Sequence, residues 1–162
     1  SLELLDATLR EAVPEGADAE TSIRALVPAL IAAARQHGNY NVLYNEITSG
    51  SCREFAPELA REIESRTAQL YTRLFETAKE AGVLAPGLAP EAAAFFFDNL
   101  LMMLQFSYSC DYYQHRMRLY CGENAAWNDE MMADQLTRFL LGAMRGEGSC
   151  NISLPTTSEP PA

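Results

Sequence analysis

The stretch from Pro90 to Tyr120, PEAAAFFFDNLLMMLQFSYSCDYYQHRMRLY, decides the fold of this chain. Its pattern predicts one long helix that is apolar on almost every side at its start. Such a helix must be covered by its own domain, a partner or a ligand, because a surface helix shows only one apolar stripe. On a helical wheel we assign the face opposite Asp98 to core and pocket. That face consists of Phe96, Leu100, Met103 and Ser107.

Helical periodicity continues through the rest of the chain, and no period-two strand pattern is present. Five further helices are predicted, at Leu2–Val13, Ala19–His37, Asn41–Thr48, Pro57–Ala81 and Asp129–Arg145. Gly38 is expected to close the second of these as a left-handed residue after the helix end. The predicted fold class is therefore all-α, an antiparallel helical bundle of about six helices.

A chain of 162 residues is long enough to bury a core without disulfides or metals. Residues 1–146 are predicted to form one domain. Residues 147–162 are rich in Gly, Ser, Thr and Pro and are expected to form a flexible tail, because they contain too little apolar surface to offset the entropy of ordering.

Charge and composition exclude several partners. The chain has 12 basic and 22 acidic residues, and its only lysine is Lys79. Contact with a nucleic acid backbone or an anionic membrane needs clustered basic side chains, so neither is an expected partner of this chain itself. The apolar run from Phe95 to Leu104 is too short to span a membrane. Scattered cysteines and the lack of a signal-peptide pattern favour the cytoplasm.

Nothing in the sequence predicts catalytic or metal chemistry. Cys110, His115 and Cys121 could suggest a metal site, but on one continuous helix they cannot reach the same ion. No nucleophile and base occur in a recognised setting, and there is no Gly-rich phosphate loop. We therefore expect no catalytic residue, no metal and no cofactor.

Aromatic residues are numerous for a small domain, and packing is the simplest explanation for each one singly. Together they could form apolar walls with a few hydroxyls, as in small-molecule pockets. Solvation or an Arg partner is the simpler interpretation of Asp98, whereas a cavity position would favour a cationic lipophilic effector. The predicted ligand-binding residues are Tyr44, Tyr71, Phe75, Phe96, Asp98, Leu100, Met103, Phe106 and Ser107.

The order of these segments resembles the ligand-binding and dimerisation domain of TetR-type transcriptional regulators. The segments that carry the resemblance are LLDATLREAV (4–13), SIRALVPALIAAARQHGNYNVLYNEI (22–47), PELAREIESRTAQLYTRLFETAKEAGVLAPGLAPEAAAFFFDNLL (57–101) and MMADQLTRFLLGAM (131–144). The most telling local match is AGVLAPGLAPEAAA (81–94), which resembles the junction before the penultimate helix of that family.

The resemblance implies that the last two helices pair with those of a second subunit, while the preceding helices enclose an effector pocket. The dimer-interface residues that it implies are Leu101, Leu104, Tyr108, Tyr112, Met132, Leu136, Phe139, Leu140 and Ala143. It also implies an N-terminal helix-turn-helix domain that binds DNA. No basic helix-turn-helix segment precedes Leu2, so DNA is an expected partner only through a domain absent from this chain.

The function expected from the sequence is that of the sensing and dimerising part of a repressor, which binds a small lipophilic effector and forms a homodimer. Two other classes of function remain open. One is a helical homodimerisation module without a ligand, and the other is a small helical enzyme.

Overall fold

The computed structural model describes residue 7 and residues 11–51, 53–124 and 128–146. In these ranges the chain is helical without strands, which confirms the predicted all-α bundle of about six helices. The helices are α1 (Ala19–Gln36), α2 (Gly38–Glu46), α3 (Ala56–Glu80), α4 (Pro90–Ser109), α5 (Asp111–Cys121) and α6 (Asp129–Arg145). A π-helical turn, Ile47–Ser51, and a 3-10 turn, Arg53–Phe55, join α2 to α3. Most of the predicted helix Leu2–Val13 and the whole predicted tail, 147–162, lie outside the described residues.

Helix α1 is the hub of the bundle because it packs against α3, α4 and α6. Its N-terminus is capped by Asp18, whose side chain accepts a hydrogen bond from the Thr21 amide at 2.7 Å. Such a cap satisfies an amide that has no partner within the helix. The apolar stripe that follows is almost fully buried: Ile23, Leu26, Val27, Leu30, Ile31 and Ala34.

Gly38 begins α2 and does not close α1 in the way that the sequence predicts. It is not among the glycines with positive φ, and the chain changes direction at His37 instead (φ −127°, ψ 34°). Gly38 lies against the end of α4, where a Cβ added to it would stand 3.5 Å from the Cβ of Ser109. Ser109 also accepts a hydrogen bond from Asn41 at 2.9 Å and donates one to the Ala34 carbonyl at 3.3 Å. The direction of the chain here thus follows from tertiary contact with Ser109.

The predicted single helix Pro90–Tyr120 is broken at Cys110. The backbone of Cys110 is extended (φ −111°, ψ 128°), and its carbonyl accepts a hydrogen bond from the Gln114 amide as the first bond of α5. Ser109 before the break donates its hydroxyl to α1, and Asp111 after it begins the new helix, where a negative charge is favourable. The break thus coincides with a hydrogen bond from Ser109 to a distant helix, and a wheel drawn across Cys110 is misleading.

Helix α6 has the bounds predicted from the sequence and ends at Gly146, which is left-handed (φ 59°). Next to this end, the Ala85 amide donates a hydrogen bond to the Met144 carbonyl at 2.7 Å. A Cβ at Gly146 would lie 2.7 Å from the Cβ of Ala85, a distance too short for two carbon atoms. Glycine is therefore required here both for its backbone conformation and for the close approach of the loop before α4.

We expect Gly146→Ala to lower the free energy of unfolding by about 1–2 kcal/mol, because it adds left-handed strain and a contact with Ala85. Gly142→Ala is the matched control on the same helix. A Cβ at Gly142 meets nothing within 4 Å, so alanine there should stabilise the helix by roughly 0.5–1 kcal/mol. Urea denaturation at one fixed protein concentration measures the change in the free energy of unfolding for both variants. Equal changes would contradict the requirement for glycine at position 146.

Candidate functional site

Three of the four residues assigned to the inner face of α4 lie on its outer face. Phe96 is 59% exposed, Leu100 is 38% exposed and Met103 is 36% exposed. Only Ser107 is buried, and its hydroxyl donates to the Met103 carbonyl of its own helix at 2.8 Å. The predicted role of Phe96, Leu100 and Met103 in an internal pocket is therefore corrected, because their side chains face away from the core.

The buried face of α4 is centred on Phe97, which lies about 100° around the helix axis from Phe96. Its members are Ala93, Ala94, Phe97, Leu101 and Tyr108. The structure thus places Leu101 and Tyr108, predicted at the dimer interface, inside the protomer. The alanines are the signal that could have identified this face, since small side chains allow another helix to come close.

The other predicted interface residues divide between core and surface. Leu140 is 6% exposed and belongs to the core, and Leu104, Met132 and Leu136 are partly buried against it. Three remain on the surface of the described structure: Tyr112, Phe139 and Ala143. Most of the predicted interface residues are therefore not free to contact a partner over their full surface.

Five neighbouring residues from α2, α3 and α4 form a group that we call the acidic aromatic cluster: Tyr44, Glu64, Tyr71, Asp98 and Phe106. The Tyr44 hydroxyl donates a hydrogen bond to the Glu64 carboxylate. The Tyr44 ring also packs against the buried Phe106 ring, with 5.9 Å between centroids. The sequence does not single out Glu64, because the charges of this helix have the pattern of a solvated surface.

Asp98 is a half-buried carboxyl group in this cluster. Burial, and next the nearby charge of Glu64, raise the pKa of Asp98 to about 6. Among the described residues it forms no ion pair or hydrogen bond, so the Arg partner considered from the sequence is not found there. Asp98 is consequently an ionisable group held in an environment that opposes its ionisation.

Tyr71 is buried next to these carboxylates and is only 2% exposed. Its ring packs edge-on against Phe97 at 4.9 Å, and no described residue hydrogen-bonds to its hydroxyl. Burial raises the pKa of the Tyr71 hydroxyl, and the charges of Asp98 and Glu64 raise it further. The phenol is therefore protonated, and its hydroxyl lies within electrostatic reach of both carboxylates.

Tyr71 also lines a groove of about 890 Å³ between the start of α1 and the face of α3. Val13 and Pro14 line the same groove ahead of α1, and Ser22 and Thr67 add hydroxyl groups. Its volume lies in the range of pockets that take a small molecule. Phe75, predicted as a ligand contact, is not among the lining residues and packs in the core, with its ring 5.6 Å from that of Phe97.

Within the described ranges no three His, Cys, Asp or Glu residues stand close enough together to hold a metal ion. Cys110 and Cys121 are free thiols at opposite ends of α5. Across the same ranges, no helix combines the length and the apolar character needed to cross a bilayer. We take the acidic aromatic cluster and the groove, which share Tyr71, as the candidate site.

Comparison with known proteins does not assign the chain to a family. No protein-family model, curated protein or solved structure matches it. The resemblance to TetR-type regulators therefore stays a prediction, and the function has to be inferred from the geometry of the candidate site.

We expect Asp98→Asn to raise the free energy of unfolding at pH 7 by about 1–3 kcal/mol, because each unit of pKa shift corresponds to about 1.4 kcal/mol. The pKa of Asp98 in the folded chain lies above its ordinary value of 3.8, so ionisation destabilises the folded state. This cost is absent below pH 4, grows as the pH rises to about 6 and is constant above that.

Urea denaturation between pH 4 and pH 8 measures the difference between the variant and the unmodified chain. Glu76→Gln, which neutralises an exposed acid on α3, is the control and should change stability by less than about 0.5 kcal/mol. A variant that is no more stable than the unmodified chain at pH 7 would contradict the burial argument.

Proposed function

We propose that this chain is the effector-sensing and dimerisation domain of a cytoplasmic TetR-type repressor. A small lipophilic molecule would bind at the acidic aromatic cluster and groove, and a helix-turn-helix domain outside this chain would bind DNA. The observation that carries the proposal is the position of Asp98, a half-buried carboxyl group without a hydrogen-bond partner among the described residues, near Tyr71, which lines the groove. Unpaired polar groups cost stability, and proteins accept that cost most readily at functional sites.

The groove supports a route from effector to DNA-binding domain. Val13 is the last residue of the predicted helix Leu2–Val13, which would lead to the helix-turn-helix domain, and Pro14 follows it; both line the same groove as Tyr71. A molecule bound there would contact both the body of the bundle and the start of the connection. Such a molecule could shift the equilibrium between two arrangements of the proposed dimer only if it binds one of them more tightly than the other.

The outer face of α4 supports the proposed homodimer. Phe96, Leu100 and Met103 recur at helical spacing and are exposed, without a charged residue among them. On α6 the Phe139 side chain is 64% exposed. Exposed apolar stripes of this kind indicate contact with another protein surface, and we propose a second copy of this chain as the partner.

Two exposed residues test the dimer. We expect Phe96→Glu and Leu100→Glu to convert a dimer into a monomer, because each buries an unpaired charge in the proposed interface. Val83→Glu is the matched control, since Val83 is also an exposed apolar residue (42%) but lies in the loop before α4. Sedimentation velocity reports the mass. An unmodified chain that is monomeric, or variants that remain dimeric, would contradict the proposed interface.

A thermal-shift screen with lipophilic compounds tests the sensor. A compound present at 100 times its Kd should stabilise the chain by about 2.7 kcal/mol, which corresponds to a rise in Tm of roughly 5–10 °C. Tyr44→Phe, which removes the hydrogen bond to Glu64, should reduce the response and leave the dimer intact. Tyr40→Phe on the exposed side of the same helix is the control.

The same screen separates the other two functions. A stable dimer that no compound stabilises would favour a homodimerisation module without a ligand, for which the exposed faces of α4 and α6 are sufficient. Turnover of a bound compound would favour a small helical enzyme.

A further inference from the structure

We propose that the groove between α1 and α3 binds a lipophilic carboxylate, whose negative charge is held by Arg66 and Arg73 at its edge and whose apolar body covers its floor. This inference rests on the proposed sensing function and adds the chemical class of the effector. Asp98 and Glu64 do not line the groove, so its preference for one sign of charge depends on other residues.

The floor of the groove is apolar and suits a small molecule. Leu26 of α1 and Tyr71 of α3 are buried there, and the partly buried Leu74 lies beside them. Val13 and Leu70 continue this apolar surface, and Leu70 is 43% exposed. The volume of about 890 Å³ is that of a pocket for a drug-sized ligand. Apolar surface exposed to water in a groove favours a ligand with an apolar body.

Two arginines of α3 stand at the edge of this apolar floor. Arg66 and Arg73 line the groove and are exposed. Neither guanidinium forms an ion pair or a hydrogen bond with a described residue, whereas Arg24, Arg35 and Arg138 each bind a carboxylate. Seven residues along a helix amount to about 10 Å and nearly two full turns, so both side chains leave the same side of α3. The groove therefore has a positive edge whose charge is not neutralised by the described chain.

The charge of the groove is opposite to that of the chain as a whole. Arg66 and Arg73 contribute two positive charges and Glu15 one negative charge, so the residues that line the groove have a net charge of +1. The chain has a net charge of −10. A local reversal of charge attracts ligands of the opposite sign, and a single excess positive charge matches a ligand with one negative charge.

The type of donor at this edge indicates a carboxylate. A guanidinium can bind both oxygens of a carboxylate through two parallel hydrogen bonds. Gln69 lines the groove between the two arginines on the same side of the helix, and its side-chain amide is a further donor. A carboxylate at the end of an apolar body would meet these donors while the body covers the floor. A neutral or cationic ligand would leave the two guanidinium groups without a counter-charge.

Decanoate, decan-1-ol and decyltrimethylammonium test the sign of the charge, because they have similar alkyl chains and differ in charge. Isothermal titration of the full chain, with each probe below its micelle-forming concentration, should show that decanoate binds at least about fivefold more tightly than the other two. Nonspecific association with a chain of net charge −10 would favour the ammonium ion instead. Absence of decanoate binding, or binding of either other probe with equal affinity, would overturn the proposal.

Two variants locate the negative head group. We expect Arg66→Gln and Arg73→Gln each to weaken decanoate binding by about threefold to tenfold, since each removes one charge from the edge of the groove. Decan-1-ol binding should change by less than about twofold, because the alcohol has no charge. Arg61→Gln is the matched control, since Arg61 is an exposed arginine of the same helix that does not line the groove.

Circular dichroism confirms that each arginine variant is folded. A variant that binds decanoate as tightly as the Arg61→Gln control would remove its arginine from the site. Equal affinities for all three variants and the unmodified chain would overturn the assignment of the charge to this edge.

Leu70→Gln tests the position of the apolar body. We expect it to weaken decanoate and decan-1-ol binding alike, by about threefold or more, because it replaces apolar contact surface by a polar amide. Val83→Gln is the control, since Val83 has nearly the same exposure, 42% against 43%, and lies outside the groove. Unchanged affinity of Leu70→Gln for both probes would place the ligand elsewhere and overturn the proposal.

These titrations distinguish failure of the carboxylate assignment from failure of the sensing function. If decanoate does not bind, or binds no better than the alcohol and the ammonium ion, the carboxylate is excluded, and any other compound that raises Tm in the thermal-shift screen would still support the sensor. If no compound of any charge binds, the proposed sensing function fails and the carboxylate assignment fails with it.

Discussion

The packing of Phe97 determines how the rest of the bundle is arranged. Its ring meets Tyr71 and Phe75 edge-on, at 4.9 Å and 5.6 Å, and it is buried on α4 at the contact with α3. Edge-to-face aromatic pairs are favourable beyond the area that they bury, so this contact fixes the rotation of α4 about its axis. Once Phe97 faces inward, the directions of the neighbouring side chains on α4 are fixed. Phe96 faces outward, and Asp98 falls at the edge of the core.

Asp98 is costly for stability in that position. A carboxyl group whose pKa is raised to about 6 is ionised at neutral pH against the effect of its surroundings. An asparagine of nearly the same shape would avoid this cost, and a leucine would extend the core. Under the proposed function, a charge that the fold does not need, beside a second acid and near the groove-lining Tyr71, would be retained for binding.

The sequence predicts the helices well because helix formation depends on local apolar periodicity and on the residues that begin and end a helix. The bounds of α6 and the start of α1 are reproduced by periodicity alone. Periodicity misses the break at Cys110 and the role of Gly38, since both depend on Ser109, which contacts α1 and α2 from a distant part of the chain. Local pattern contains no information about such a contact.

The candidate site is only partly predictable for a similar reason. A helix that is apolar on all sides does not reveal which sector faces the core, so the wheel assigns the outer stripe of α4 to the inside. Tyr44, Tyr71, Asp98 and Phe106 are nevertheless predicted, because a pocket needs rings and a few polar groups whichever way the helix turns. Glu64 is hidden among other surface charges, although it shares a helix face with Tyr71 seven residues later.

The rotation of α4 has a consequence for how sensing and dimerisation would be coupled. Asp98 and Phe96 are separated by about 160° around the helix axis, so the ligand side and the proposed interface lie on nearly opposite faces of one helix. A rigid helix transmits a displacement from one face to the other, as in the small helix shifts found at subunit interfaces. Under the proposed function, a molecule bound on the Asp98 side would act on the second subunit through α4 itself, in parallel with the route through Val13 and Pro14. Under the proposed function, the all-round apolar character of α4 follows from this double role, because one face must bury into the bundle and the other must bury against a partner.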